Sequence, residues 1–356
     1  MKATSLNFMG ALSRILIIKL GSLGDVVHTL PAVAALKKSH PETQIDWLVE
    51  RKCGVLLRNN PLVHEVIEVD TQQWRKSLLS PQVLGQLKAL ARRLRNNHYD
   101  VALDFQGLWK SAAFGYFSGA KRVVGFDKRV LKEPGCSILY DTRILPRAQA
   151  THVIDIYGEL VHSLGAETNG LRFDLNTSEN DDAYVSTQLA LLQVDDFVIL
   201  NPGGGWITKN WDPENYAALH LRLRQTTRLQ TLLTWGPGEE HLIEQIVRHC
   251  KQDPPVTFPT TIPQFIALVR RARLFVGGDT GPMHLASACG VPVVGIFGPT
   301  DPLRNGPFSE KDIVVSHRVP CGPCYKRSCK VYNKECMRLV TVDEVHKAVL
   351  QRLSLP

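Results

Sequence analysis

The segment Arg14-Ile15-Leu16-Ile17-Ile18-Lys19-Leu20-Gly21-Ser22-Leu23-Gly24-Asp25 decides how the chain is read. Its short apolar run is a buried strand, and Gly21 and Gly24 permit a sharp turn out of it. The residues that follow predict a helix over about 25–38. A strand, a tight turn and a helix in that order open a parallel α/β unit.

The pattern continues outward. Strands are predicted over 44–49, 65–69, 101–104 and 121–124, with amphipathic stretches such as 83–95 between them and a helix over 152–164. The polar run 176–182 marks a boundary. Beyond it a helix over 183–192 leads into a second α/β half, with strands over 197–200, 231–234, 274–276 and 293–297. Asp212-Pro213-Glu214 reads as a helix start, and Thr261 to Gln264 as a capping box. A helix over 282–289 stops at Gly290, and an amphipathic helix over 342–352 closes the chain. The expected division is 1–178, 179–340 and a C-terminal helix 341–356 packing back near the junction.

Bulk properties agree with this. A chain of 356 residues, 44% apolar and 21% charged, is globular and long enough for two cores. No apolar run approaches the roughly 20 residues that span a bilayer. The first twelve residues hold one lysine and no long apolar core, a poor signal peptide, so a soluble cytoplasmic protein is expected. The net charge of +8 favours an anionic partner, whether nucleic acid, phosphorylated lipid or a membrane surface. Lys121, Arg122, Lys128, Arg129 and Lys132 fall close together, but no nucleic-acid-binding signature accompanies them, and that role is set aside.

Ligands of open α/β sheets bind beyond the carboxyl ends of strands. Three such turns stand out. In Lys19 to Asp25, with His28 one turn on, helix amides suit an anion, and Asp25 is either a general base or a helix cap. In Asn201 to Trp211, a run of three glycines can wrap a phosphate, and Lys209 can offset charge on a leaving diphosphate, or simply be solvated. In Gly277 to His284, free helix amides and the Thr280 hydroxyl can hold a diphosphate without a metal. His284 either faces that ligand or packs on the sheet. Asp279 orients amides or Lys209, or caps the helix. Glu239 can accept from sugar hydroxyls or start a helix. The segment Cys321-x2-Cys324-x4-Cys329-x6-Cys336 has a spacing compatible with tetrahedral zinc, with reduced packing thiols or a disulfide as alternatives.

Together these turns resemble glycosyltransferase family 9, the heptosyltransferases of lipopolysaccharide inner-core assembly, over most of the chain. The resemblance rests on Lys19-x-Gly-Ser-Leu-Gly-Asp-Val-Val-His-Thr-Leu-Pro31, Asp104-x-Gln-Gly-Leu-x-Lys-Ser111, Lys209-Asn-Trp211 and Gly278-Asp-Thr-Gly-Pro-Met-His-Leu285. It implies an α/β GT-B fold, with two Rossmann-like lobes facing an interdomain crevice. It also implies inverting transfer of heptose from an ADP-heptose donor, with no cofactor and no catalytic metal. Asp25 would be the general base, with Lys209 assisting catalysis. Thr208, Lys209, Glu239, Asp279, Thr280, Gly281 and His284 would hold the donor, and Ser22, His28, Gln106 and Lys110 the acceptor. Gln106 to Ser111, Glu133-Pro134 and Tyr140 favour heptosyltransferase I, whose acceptor is a Kdo-containing lipid A precursor. Heptosyltransferase II, a nucleotide-sugar epimerase and a non-catalytic glycolipid-binding protein are the alternatives. The expected setting is the cytoplasm of a Gram-negative bacterium, with peripheral contact at the inner membrane left open.

Overall fold

The computed structural model describes residues 12–354 apart from 169, 171 and 332. The signal-peptide reading concerns a stretch of which only Leu12 is described. The chain divides into two compact units, one ending at Asp174 and the other beginning at Leu175.

The first unit contains strands β1 (Arg14–Ile18), β2 (Gln44–Glu50), β3 (Glu65–Val69), β4 (Val101–Asp104), β5 (Arg122–Phe126) and β6 (Thr142–Ile144). They form one sheet in the order β3-β2-β1-β4-β5-β6, and every pairing is parallel. Ile15 to Ile18 are fully buried at its centre, which is why an uninterrupted aliphatic run was needed there.

The second unit contains β7 (Phe197–Asn201), β8 (Gln230–Leu233), β9 (Val256–Thr257), β10 (Leu274–Gly278), β11 (Val293–Phe297) and β12 (Ile313–Ser316). Their order is β12-β11-β10-β7-β8-β9, again all parallel. Counting strands from each unit's start, both sheets run 3-2-1-4-5-6, the dinucleotide-fold order, whose direction reverses between the first and fourth strands. That reversal opens a ligand crevice beyond β1 and β4 in one unit, and beyond β7 and β10 in the other.

Three strands escape a reading of the sequence: β6, β9 and β12. Each lies at a sheet edge, short and only partly covered, so it lacks a buried run. The polar run 176–182 starts a helix, Glu179–Leu191. Ser178 caps it, accepting from the Asp181 amide at 3.2 Å while Asp181 accepts from the Ser178 amide at 3.0 Å. The last helix, Val342–Ser354, packs on helix Pro213–Thr226 and on β11 and β12, placing Val345 and Val349 in the second unit's core. No helix among the described residues is long and apolar enough to cross a membrane.

Candidate active site

In the first unit, the crevice end of β1 carries Asp25. It is not the N-cap of helix Leu23–Ser39 but a residue of its first turn, reaching back to accept from the Ser22 amide at 2.8 Å and hydroxyl at 2.9 Å through Oδ2. Its other oxygen lies 3.5 Å from Lys19 Nζ and accepts from the Tyr157 hydroxyl at 3.4 Å. Lys19 is buried and also donates to the Phe105 carbonyl at 3.1 Å and to Tyr157 at 2.6 Å. Burial works to lower the Lys19 pKa, but Asp25, Tyr157 and Asp104 outweigh it and raise the value overall. The carboxylate of Asp25 is therefore oriented on both sides, yet 36% of the side chain remains exposed.

The expected acceptor residues divide by their partners. Ser22 stands beside Asp25. Gln106 Oε1 accepts from the amides of Leu20 and Gly21 at 3.1 and 3.3 Å, joining the turns after β1 and β4. His28 is buried, edge-on to His152 at 6.1 Å between ring centroids. Lys110 donates to Thr71 at 2.9 Å and lies 3.6 Å from Glu50 at the end of β2. Asp104 explains other motif residues: its oxygens accept from the Gln106 and Gly107 amides, from Ser111 Oγ at 2.8 Å and from the Tyr140 hydroxyl at 2.7 Å. Burial pushes the Asp104 carboxyl up despite those donors. Glu133 accepts from the Trp109 amide at 2.8 Å. Within the basic cluster, Lys121 is paired with Asp100 and Arg129 with Asp127.

In the second unit, Lys209 and Asp279 meet between the turns after β7 and β10. Lys209 Nζ donates to Asp279 Oδ2 at 2.7 Å and to its carbonyl at 2.9 Å, and lies 4.7 Å from the Trp206 ring centroid. His284 Nε2 engages Asp279 Oδ1 at 3.0 Å, its ring stacked on Phe308, and Asn305 donates to Oδ2 at 3.4 Å. Asp279 is only 3% exposed; burial alone would raise its pKa, but His284 and Lys209 reverse this and hold the carboxyl far below the usual carboxylate range. Of the readings open for Asp279, orienting Lys209 is the one this geometry matches. The helix cap is Thr280, not Asp279.

Four buried polar atoms here have no hydrogen-bond partner among the described residues: Asn201 Oδ1, Asn210 Oδ1, Thr280 Oγ1 and Thr300 Oγ1. All lie at or just beyond the carboxyl ends of the adjacent strands β7, β10 and β11. Such groups are rare in folded proteins and are met by a bound water, ion or ligand. The glycine run lets the chain pass close by. A Cβ on Gly204 would stand 2.5 Å from the Thr280 methyl and 3.2 Å from Asn210 Oδ1, and one on Gly203 would strike the Glu239 carboxylate. Glu239 accepts from the Gly236 amide at 2.8 Å. Gly281 opens the helix Gly281–Ala288 and adds its N-terminal amides to the site.

Thr208, expected at the donor, gives its hydroxyl to the Lys326 carbonyl at 2.8 Å. That bond fastens the Lys209 loop to the cysteine segment. Cys321, Cys324, Cys329 and Cys336 line one small cavity. Among the described residues, no three metal-ligating side chains are placed to hold an ion.

Two sheets of dinucleotide-fold order, each with a lysine–aspartate pair beyond its switch point, define a double Rossmann-type α/β protein. Residues 87–334 match the model of glycosyltransferase family 9 (heptosyltransferase), and the chain belongs to that family of glycosyltransferases. It is 31% identical to lipopolysaccharide heptosyltransferase 1 of Pseudomonas aeruginosa, over 89% of this chain and 87% of that protein. Its structure is similar to that of E. coli heptosyltransferase WaaC with ADP, with TM-score 0.75 and 26% identity over 95% of this chain and 99% of that one. It is also similar to WaaC with ADP-2-deoxy-2-fluoro heptose, with TM-score 0.74 and 25% identity over the same shares. The two parallel six-stranded sheets match the GT-B architecture of these structures.

Proposed function

We propose that the chain transfers heptose from ADP-heptose to the Kdo of a lipid A precursor, as a heptosyltransferase I-like enzyme at the cytoplasmic face of the inner membrane. The observation that carries the donor half is the set of four unpartnered buried polar atoms around the Lys209–Asp279 pair. Such a site is incomplete without a polar ligand, and ADP in the similar WaaC supplies the class of ligand. The name of the Pseudomonas relative and the motif residues Gln106, Lys110, Ser111 and Tyr140 support the choice of acceptor.

In this reading the acceptor hydroxyl oxygen attacks the anomeric carbon of the heptose, and Asp25 takes its proton. The bond to the diphosphate breaks with both electrons leaving on ADP, and the configuration inverts in the single displacement. Lys209 offsets the charge that grows on the leaving diphosphate, and Thr280 with the helix amides from Gly281 holds it. Asp279 and His284 are positioning residues, acting through Lys209. Lys19 and Tyr157 do the same for Asp25, and their contacts with its carboxylate support this.

ADP release with ADP-heptose, measured against Kdo-lipid A and against heptosyl-Kdo-lipid A, tests the reading. Turnover with the first acceptor alone supports it, and turnover only with the second makes the enzyme heptosyltransferase II-like. A product with the donor's anomeric configuration would overturn inversion.

A further inference from the structure

The helical stretch 71–98 of the first unit carries Arg75, Lys76, Lys88, Arg92, Arg93 and Arg95 and no acidic residue, although the chain holds 34 acids in 356 residues. Arg93 is tied to Glu65 and Arg95 to the Phe117 carbonyl. Arg75, Lys76, Lys88 and Arg92 are exposed. Helix Pro81–Asn96 has an apolar stripe at Val83, Leu87, Leu90, Ala91 and Leu94, the spacing of a core-facing helix. Only its ends, Val83 and Leu94, are buried. The middle of the stripe stays open because it borders a groove of about 460 Å³, within the range of small-molecule sites.

Trp74, Leu78, Leu87, Leu90, Phe114 and Phe117 supply most of the groove wall. Its polar lining is confined to Thr71, Arg75 and Lys110, and Lys110 already faces Glu50. Leu78, Leu79 and Phe117 stand 54%, 86% and 50% exposed near its mouth. A greasy trough without groups to read a base or a peptide backbone, bordered by exposed cations, has the polarity of an amphiphile turned inside out. Stable attachment to a bilayer takes two signals, an apolar insertion and a basic patch, and this face carries both.

We propose that this face docks on an anionic phospholipid bilayer, with one acyl chain of an anionic phospholipid entering the groove. The groove borders the proposed acceptor side through Lys110, so the inference rests on that reading for its purpose, while vesicle binding can be measured without transfer. It would hold the first unit at the surface where a lipid-linked acceptor resides.

Co-sedimentation of the full chain with phosphatidylglycerol/phosphatidylcholine vesicles, against pure phosphatidylcholine, tests the docking. Binding at least tenfold stronger to the anionic vesicles is expected. Lys88→Gln with Arg92→Gln should weaken it roughly 25-fold, because each surface cation contributes about a fivefold attraction. Leu78→Glu and, separately, Leu79→Glu should weaken it about tenfold while circular dichroism and Tm stay at wild-type values. Acyl entry is read by phospholipid with brominated chains, which should quench tryptophan fluorescence in the wild type and much less in Trp74→Phe. Equal binding to neutral vesicles, unchanged binding by both leucine variants, or quenching that survives Trp74→Phe would each overturn the proposal. Oligonucleotide binding abolished by the Lys88/Arg92 change, without vesicle binding, would reassign the face to nucleic acid.

Discussion

Asp25 accepts hydrogen bonds on both sides of its carboxylate, and the two sides do different things. Oδ2 starts a helix, while Oδ1 faces Lys19 and Tyr157. Asp25→Asn keeps an acceptor for the Ser22 amide but removes the proposed base, so kcat should fall about 10²- to 10⁴-fold with ADP affinity by calorimetry unchanged. A purely capping role would instead lower Tm and spare kcat. In the second unit, Lys209→Met leaves the buried Asp279 carboxylate with His284 and Asn305 as its remaining side-chain partners. That should cost about 3 kcal/mol in denaturant unfolding, the lower end for a broken buried pair, since Lys209 keeps some solvent contact. The depressed Asp279 pKa has a signed consequence. Its stabilisation is complete above the unfolded aspartate value of about 4 and is lost as pH falls from there toward the folded value. Tm measured from pH 6 down to pH 3 should therefore drop more steeply in the wild type than in Asp279→Asn, which starts lower.

The unit of function at the next scale is the strand, its glycine turn and the helix that follows. Gly204→Ala drives a methyl into Thr280, and an overpacked contact of this kind costs about 1–3 kcal/mol. Because Thr280 is itself unpartnered and available to a ligand, ADP affinity should fall by at least tenfold in the same variant. Gly203→Ala meets only the end of the Glu239 side chain, which can swing aside at the expense of its bond to the Gly236 amide. A smaller stability loss with weakened donor binding would place Glu239 on the ligand; unchanged affinity would leave it a loop brace. These turns were legible in the sequence because glycine and polar residues cannot continue a buried aliphatic strand, so the break is local and visible. Tyr157, Asn305 and Phe308 were not legible. Tyr157 reaches Asp25 across 132 residues of chain, and Asn305 reaches Asp279 across 26. Their roles come from tertiary neighbours, and nothing in their immediate sequence marks them. The edge strands β6, β9 and β12 were hidden for a related reason: their burial depends on a neighbour that only the sheet supplies.

The whole molecule consists of two compact units, each with its own core and strand order. Lys209, Thr280 and Gly281, the residues proposed to hold the leaving diphosphate, belong to the second unit alone, as does Asp279 beside Lys209. ADP should therefore protect that unit selectively. At a hundredfold excess over Kd, binding adds about 2.7 kcal/mol, which for a unit of this size raises its melting temperature by about 5–10 °C. Hydrogen exchange should slow in the turns after β7, β10 and β11, with the turn after β1 unchanged by ADP alone. Equal protection of both turns would show that the nucleotide is also read by the first unit. The net charge of +8 belongs to this scale as well, and the acid-free run that carries the most basic residues contains the stretch 71–98.

The unpartnered atoms of Asn201, Asn210, Thr280 and Thr300 also bear on how this protein can be engineered. A buried polar group that finds no partner costs about 1–3 kcal/mol, and a group kept for a ligand carries part of that cost in the free protein. Natural selection for turnover therefore leaves the resting enzyme less robust than its two cores would allow. Thr300→Val, nearly the same shape without the hydroxyl, should raise the thermal stability of the free protein and weaken its hold on the nucleotide. Screening for heat resistance alone would thus erode the proposed donor site first.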